Sequence, residues 1–206
     1  MGILLTKQQR MELHFQHRLK VKASNKEPIY FADSVHPEHQ TRLAYGWIPR
    51  GERKSIPMTG RQYRLNIIGA FCLKKQSLEY REVEHVNGET IKQFLLQLSE
   101  RNTSAKKIHL IWDNAGYHHS KDIRKFARKN RIMIHYLPAY SPNLNLIERL
   151  WKVMHEQVTY NHYYEKFADF AEAVRGFFEN VDACKNILQR RINDNFSILH
   201  QRTFAS

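Results

Sequence analysis

Residues 107–113 read Lys-Ile-His-Leu-Ile-Trp-Asp, and residues 29–33 read Ile-Tyr-Phe-Ala-Asp. Each is a short, largely apolar run that stops at an aspartate. Such a run, bounded by polar residues, reads as a buried β-strand. Strand carboxyl ends are where open α/β sheets place their ligands, which makes Asp33 and Asp113 candidates for chemistry. Each also has an ordinary role open to it. Asp33 could cap a turn ahead of His36-Pro37, and Asp113 could begin an Asx-turn with Asn114.

Working outward from these runs, Arg64 to Leu73 and Leu78 to Val86 suggest two strands joined by a turn at Lys74 to Ser77. A helix is expected after Asn87-Gly88, with Ile91, Phe94, Leu95 and Leu98 on one face. Beyond Asp113, Ser120 can cap a helix running to about Lys129. Ile132 to Leu137 makes a further strand, and Pro138 and Pro142 frame an irregular segment. Helices follow from about Leu144 to Val158 and from Glu165 to Asn180. The stretch from His36 to Gly60, rich in proline, glycine and charge, reads as loops with one short strand. Three strands, a helix, then strand, helix, strand and helix point to an α/β fold. The expectation is a mixed sheet of about five strands flanked by α-helices.

Residues 1–27 read as a basic N-terminal arm or linker, residues 28–180 as the main domain, and residues 181–206 as a helical C-terminal extension. No repeat and no low-complexity tract interrupts them. With 42% hydrophobic and 12% aromatic residues, the chain is not of the disordered class. No apolar run approaches the roughly 20 residues a membrane-crossing helix needs, so no membrane partner is expected. Two well-separated cysteines, Cys72 and Cys184, make neither a disulfide framework nor zinc spacing. A cytoplasmic location is the default expectation.

Charge narrows the partner. Thirty-three Lys and Arg against 20 Asp and Glu give a formal net charge of +13. Such an excess favours a polyanion, because each neutralised phosphate releases a condensed counterion. The other reading is a cationic surface that serves solubility. Arg50, Arg53 and Lys54, in a loop region, are candidate phosphate contacts because loops can follow DNA. Lys121 and Arg124 belong to a basic helix and are candidates too, although part of that face is expected to be merely solvated. Trp47, Tyr117 and Tyr140 could stack on bases.

On the helix expected from Leu144, the residues Leu144, Ile147, Leu150, Trp151, Met154 and Val158 share one face. Glu148 falls at the rim of that face, with Arg149 and Lys152 on the far side. Trp151 is expected to pack in the core. Three carboxylates gathered at one sheet end would repel one another. They suit Mg²⁺, a hard ion that prefers oxygen ligands. Two such ions about 4 Å apart can serve both the attacking and the leaving oxygen of phosphoryl transfer. The alternative for Glu148 is a solvated side chain near the helix start.

The segments WDNAGYHHS (112–120) and LPAYSPNLNLIERLW (137–151) resemble the second and third signatures of mariner-type insertion-sequence transposases. IYFADSVH (29–36) resembles the first, and YGWIPRGE (45–52) a further stretch of the same domain. The 34 residues between Asp113 and Glu148 match the spacing typical of that superfamily. The resemblance implies an RNase H-like fold and a DDE site made of Asp33, Asp113 and Glu148 as catalytic and metal-binding residues. It implies two Mg²⁺ ions, with Mn²⁺ able to substitute. It also implies cleavage at insertion-sequence ends followed by strand transfer. The DNA partners would be terminal inverted repeats and a target, commonly TA, and a homodimer would join two ends. His118 matches a histidine common in the second signature and is a candidate DNA contact, with a local structural role as the alternative.

Ser34 stands where many relatives carry an acidic residue, and Leu146 and Ala139 where proline is frequent. About 27 residues precede the similarity, too few for the helix-turn-helix region of full-length relatives. The expectation is therefore a fragment, half of a split frame or a remnant. Two rivals remain open: a nuclease that only hydrolyses, and a truncated, non-catalytic chain that binds DNA or a partner.

Overall fold

The computed structural model describes residues 6–23, 26–45, 49–53, 55–59, 63–113, 120–139 and 141–192. Five strands form one sheet: β1 (Ile29–Val35), β2 (Asn66–Cys72), β3 (Ser77–Val83), β4 (Ile108–Trp112) and β5 (Ile132–Tyr136). Their order across the sheet is β3-β2-β1-β4-β5. The first three pair antiparallel, whereas β1–β4 and β4–β5 are parallel. The helices are α1 (Lys7–Lys22), α2 (Gly88–Glu100), α3 (Lys121–Lys129), α4 (Ile147–Met154), α5 (Phe167–Glu179) and α6 (Lys185–Arg191). A mixed five-strand sheet flanked by helices is what the strand and helix order predicts.

The central strands are apolar throughout because helices cover both faces. Side chains alternate across a strand, and the two cores follow that alternation. Tyr30, Ala32, Ile68, Ala70, Leu110 and Trp112 point into one, beneath α2 and α3. Phe31, Val35, Ile67, Phe71 and Ile111 point into the other, together with buried residues of α4, α5 and α6. α1 docks on this second face, where Leu13 and Leu19 pack against the core and Gln16 is buried.

Helix starts follow local chemistry. The Asn87 side chain accepts from the backbone N–H groups of Glu89 and Thr90 at the head of α2, each at 3.0 Å. Ser120 accepts from Ile123 at the head of α3 at 3.1 Å, as its sequence position predicts. Thr6 and Gln9 form a reciprocal capping box for α1.

The segment before α4 departs from the expected helix beginning at Leu144. Pro142–Leu144 form a 3₁₀ turn and Asn145 is extended, so α4 starts at Ile147. Proline at the first position sets the turn, and the break places Glu148 in the first turn of α4. The far end also differs, because His155–Thr159 adopt a π-helical turn. Between β1 and β2 the described residues contribute isolated bridges, Glu38 with Arg64 and Arg42 with Tyr160. They stand where a short strand was expected.

Candidate active site

Asp33 lies near the carboxyl end of β1, on the same face as Phe31 and Val35, and therefore towards α4. In the parallel ladder Ala32 is the partner of Trp112. The next residues, Asp33 and Asp113, consequently stand side by side where β1 and β4 end. Glu148 reaches the same place from the first turn of α4. Asp113 lies 80 residues after Asp33, and Glu148 a further 35, so three separate chain segments deliver carboxylates to one end of the sheet.

The electrostatics register the grouping. Burial, reinforced by the charges of Glu148 and Asp113, pushes the Asp33 carboxyl up to about 7. The Ser34 backbone N–H and the Trp151 indole oppose that rise. The Glu148 carboxyl is also raised, by burial first and then by Asp113, while a hydrogen bond with Asp33 acts in the opposite sense. Mutual repulsion in a partly dry pocket favours a shared proton or a bound cation.

The donor set is entirely oxygen, which suits a hard divalent ion. Among the described residues no three His, Cys, Asp or Glu side chains close around a point that would hold an ion. Asp33 and Glu148 line an open cleft of about 450 Å³, together with Ser34, Lys152, His155 and Tyr160.

Two hydrogen bonds tie the elements that carry the carboxylates. Asn145 Nδ2 donates to the Ala32 carbonyl oxygen at 2.9 Å, fixing the entry to α4 against β1. Trp151 Nε1 donates to Asp33 Oδ2 at 3.1 Å. Trp151 has the core position expected of it, at 3% exposure, but its polar edge serves the aspartate as well. Neither bond is visible in the hydrophobic pattern, because both depend on which residues face each other across the fold.

The expected cationic contacts are distributed differently. Arg50 and Arg53 are exposed in the connection between β1 and β2, and Lys121 and Arg124 are exposed on α3. The Arg124 guanidinium lies over the Tyr136 ring at 5.0 Å from its centre, so part of its role is local. None of these four lines the cleft. Lys54 and His118 fall outside the described residues, as do Trp47, Asn114, Tyr117 and Tyr140. Lys152, assigned by helical spacing to the far side of α4, instead lines the cleft beside Glu148. Its i,i+4 relation to Glu148 was the available signal.

Comparison with known proteins bears on the family and the fold. Residues 28–171 match the model of a family described as DDE superfamily endonuclease. That span contains Asp33, Asp113 and Glu148. The chain is 26% identical over 166 residues to an uncharacterized 39 kDa protein of insertion element IS630 from Shigella sonnei. The match covers 80% of this chain and 48% of that protein, so the chain spans about half the length of this curated relative. Among solved structures, the catalytic domain of Mos1 mariner transposase superposes with a TM-score of 0.56 at 17% identity, covering 93% of each chain. The Mos1 strand transfer complex gives a TM-score of 0.65 at 16% identity, over 90% of this chain and 56% of that one. The fold is accordingly RNase H-like. Among the described residues no helix is long and apolar enough to cross a membrane.

Proposed function

The chain belongs to the DDE superfamily endonuclease family, and on that premise we propose that it carries the catalytic centre of an insertion-sequence transposase. Asp33, Asp113 and Glu148 are its metal-binding and catalytic residues. The observation that supports this reading most is their convergence from β1, β4 and α4, with the Asp33 carboxyl pushed up to about 7.

Asp33, Asp113 and Glu148 would together hold two divalent ions through their carboxylate oxygens. When bound, Mg²⁺ or Mn²⁺ would activate the attacking oxygen and stabilise the leaving one. Structures of Mos1 paired-end complexes exist with Mn and with Mg, which supports a divalent ion as cofactor here. The chain's own residues supply oxygen ligands and hold them in place. Asn145 and Trp151 secure the strand and helix that carry Asp33 and Glu148. Lys152 in the cleft can pair with a phosphodiester, and Arg50, Arg53, Lys54, His118, Lys121 and Arg124 are candidate contacts along the DNA path.

The substrate on this reading is double-stranded DNA at the element's terminal inverted repeats. Strand transfer follows to a target, commonly TA, and two chains act together to join two ends. Residues 28–180 form the catalytic unit, with 1–27 and 181–206 as extensions. Mos1 complexes with transposon-end DNA support DNA as the partner.

The test is incubation with supercoiled DNA bearing candidate ends, in Mg²⁺ or Mn²⁺. Metal-dependent nicking followed by joined products is the expected result. Nicking without joining would favour a hydrolytic nuclease over a transposase. Binding without any cleavage, unaltered when the carboxylates are replaced, would favour a non-catalytic remnant.

A further inference from the structure

Gly69 is the antiparallel partner of Asp33 in the β1–β2 ladder, so both residues face α4. A side chain at position 69 would stand next to the carboxylate. The Trp151 indole occupies that place instead. A Cβ built on Gly69 would lie 2.6 Å from Trp151 Cη2 and 3.1 Å from Cζ2, closer than packed atoms approach. The ring's other boundary is Phe178, edge-on at 5.9 Å between centres and 84° between planes. Held in this way, the indole brings Nε1 within 3.1 Å of Asp33 Oδ2.

The chemistry of the donor matters. A buried carboxylate without hydrogen bonds is costly, and an arginine or lysine partner would remove that cost. A cation there would also oppose any metal ion seeking the same carboxylate. An indole N–H donates and never accepts, and it carries no net charge. It can therefore orient the carboxylate while leaving its charge available. Trp151 also lies three residues after Glu148 in α4, on the adjoining part of the helix surface. One rigid ring thus sets the spacing between the helix that carries Glu148 and the strand that carries Asp33.

We propose that Trp151 is a positioning residue for the metal centre: its indole N–H fixes the Asp33 carboxylate, and the absent side chain at Gly69 admits the ring. The proposal rests on the reading of Asp33 as a metal ligand. A purely structural tryptophan would need only its bulk, and Trp151→Phe separates the two roles by keeping a smaller aromatic ring and removing the donor.

Mn²⁺ binding to the whole chain is measured calorimetrically for the wild type, Trp151→Phe and Asp113→Asn, alongside metal-free thermal unfolding. In ¹⁵N-indole-labelled protein, the Trp151 N–H resonance is followed while Mg²⁺ is added. The expected result is an Mn²⁺ affinity about ten- to a hundredfold weaker in Trp151→Phe, with metal-free unfolding still cooperative and lowered only by the packing that the smaller ring gives up. The indole resonance should shift with Mg²⁺ in the wild type and stay still in Asp113→Asn. Wild-type Mn²⁺ affinity in Trp151→Phe, with binding lost in Asp113→Asn, would overturn the role of Trp151 and leave the metal site standing. Undiminished binding in Asp113→Asn would overturn the metal site itself. Should Trp151→Phe fail to fold, the resonance can be assigned in the wild type through its proximity to Phe178 and Gly69. A resonance indifferent to saturating Mg²⁺ then counts against the proposal.

Discussion

Asn145 Nδ2 donates to the carbonyl oxygen of Ala32 at 2.9 Å, across 113 residues of sequence and in a fully buried setting. Ala32 immediately precedes Asp33, and Asn145 lies three residues before Glu148. This bond therefore sets how α4 meets β1 at the point where their carboxylates face each other. Asn145→Ala leaves the Ala32 carbonyl without that donor, and the expected loss is about 1–3 kcal/mol of stability. Urea unfolding measures it. A variant as stable as wild type would show that the turn before α4 is held by packing alone.

Gly69→Ala introduces a Cβ where the Trp151 ring already lies. Overpacking of this kind costs about 1–3 kcal/mol, and it should push the indole away from Asp33. The expected outcome is a lower thermal midpoint together with reduced metal-dependent activity. Full activity in a destabilised variant would separate the ring's position from the chemistry.

The pH dependence has two opposing contributions. The Asp33 carboxyl is raised by burial, then by Glu148 and Asp113, to about 7 from an ordinary value of 3.8. Between those values the folded chain keeps a proton that the unfolded chain releases. The stability it contributes is fully present below about pH 4 and is lost as pH rises through 7. A divalent ion offsets the charge that deprotonation leaves. Mg²⁺ should therefore raise the thermal midpoint more at pH 8 than at pH 5, and equal increments at both would contradict the placement of the ion at these carboxylates.

The second contribution has the reverse sign. His109 Nδ1 and His135 Nε2 are 2.9 Å apart on neighbouring strands, and the Phe15 ring of α1 lies 5.1 Å from the His135 ring. Burial, then the proximity of His109 and Lys107, lowers the His135 imidazole to about 4. As pH falls from 6.5 towards 4, the unfolded chain takes up a proton that the folded chain refuses, and stability declines. His135→Phe should flatten that decline in denaturant titrations between pH 6.5 and 4. An unchanged slope would mean that the pair does not govern it.

Much of this was legible in the sequence, and the reasons are physical. Apolar runs stopping at Asp33 and Asp113 mark neighbouring strands that finish at the same end of the sheet, because alternation and parallel pairing leave little freedom there. Asn87 and Ser120 announce their helices through capping chemistry. Glu148 was identifiable at the rim of an apolar helix face, but the true start of α4 was not. Pro142 and the extended Asn145 replace the expected first turn, and Asn145 is held there by a residue from β1. The Trp151–Asp33 bond was hidden for the same reason: helical periodicity shows that Trp151 is buried and says nothing of which residue its N–H meets. Lys152 was placed on the wrong side because a helix wheel ranks faces by hydrophobicity, whereas the cleft cuts across the helix end.

The most direct test of the central claim compares the wild-type chain with Asp113→Asn in Mg²⁺-dependent nicking of supercoiled DNA carrying candidate ends, with thermal unfolding measured in parallel. The expected result is nicking by the wild type and none by a variant that folds normally, since one carboxylate ligand has been replaced by a neutral amide of the same shape. A folded Asp113→Asn that nicks DNA at a near-wild-type rate would contradict the assignment of Asp33, Asp113 and Glu148 as the catalytic centre.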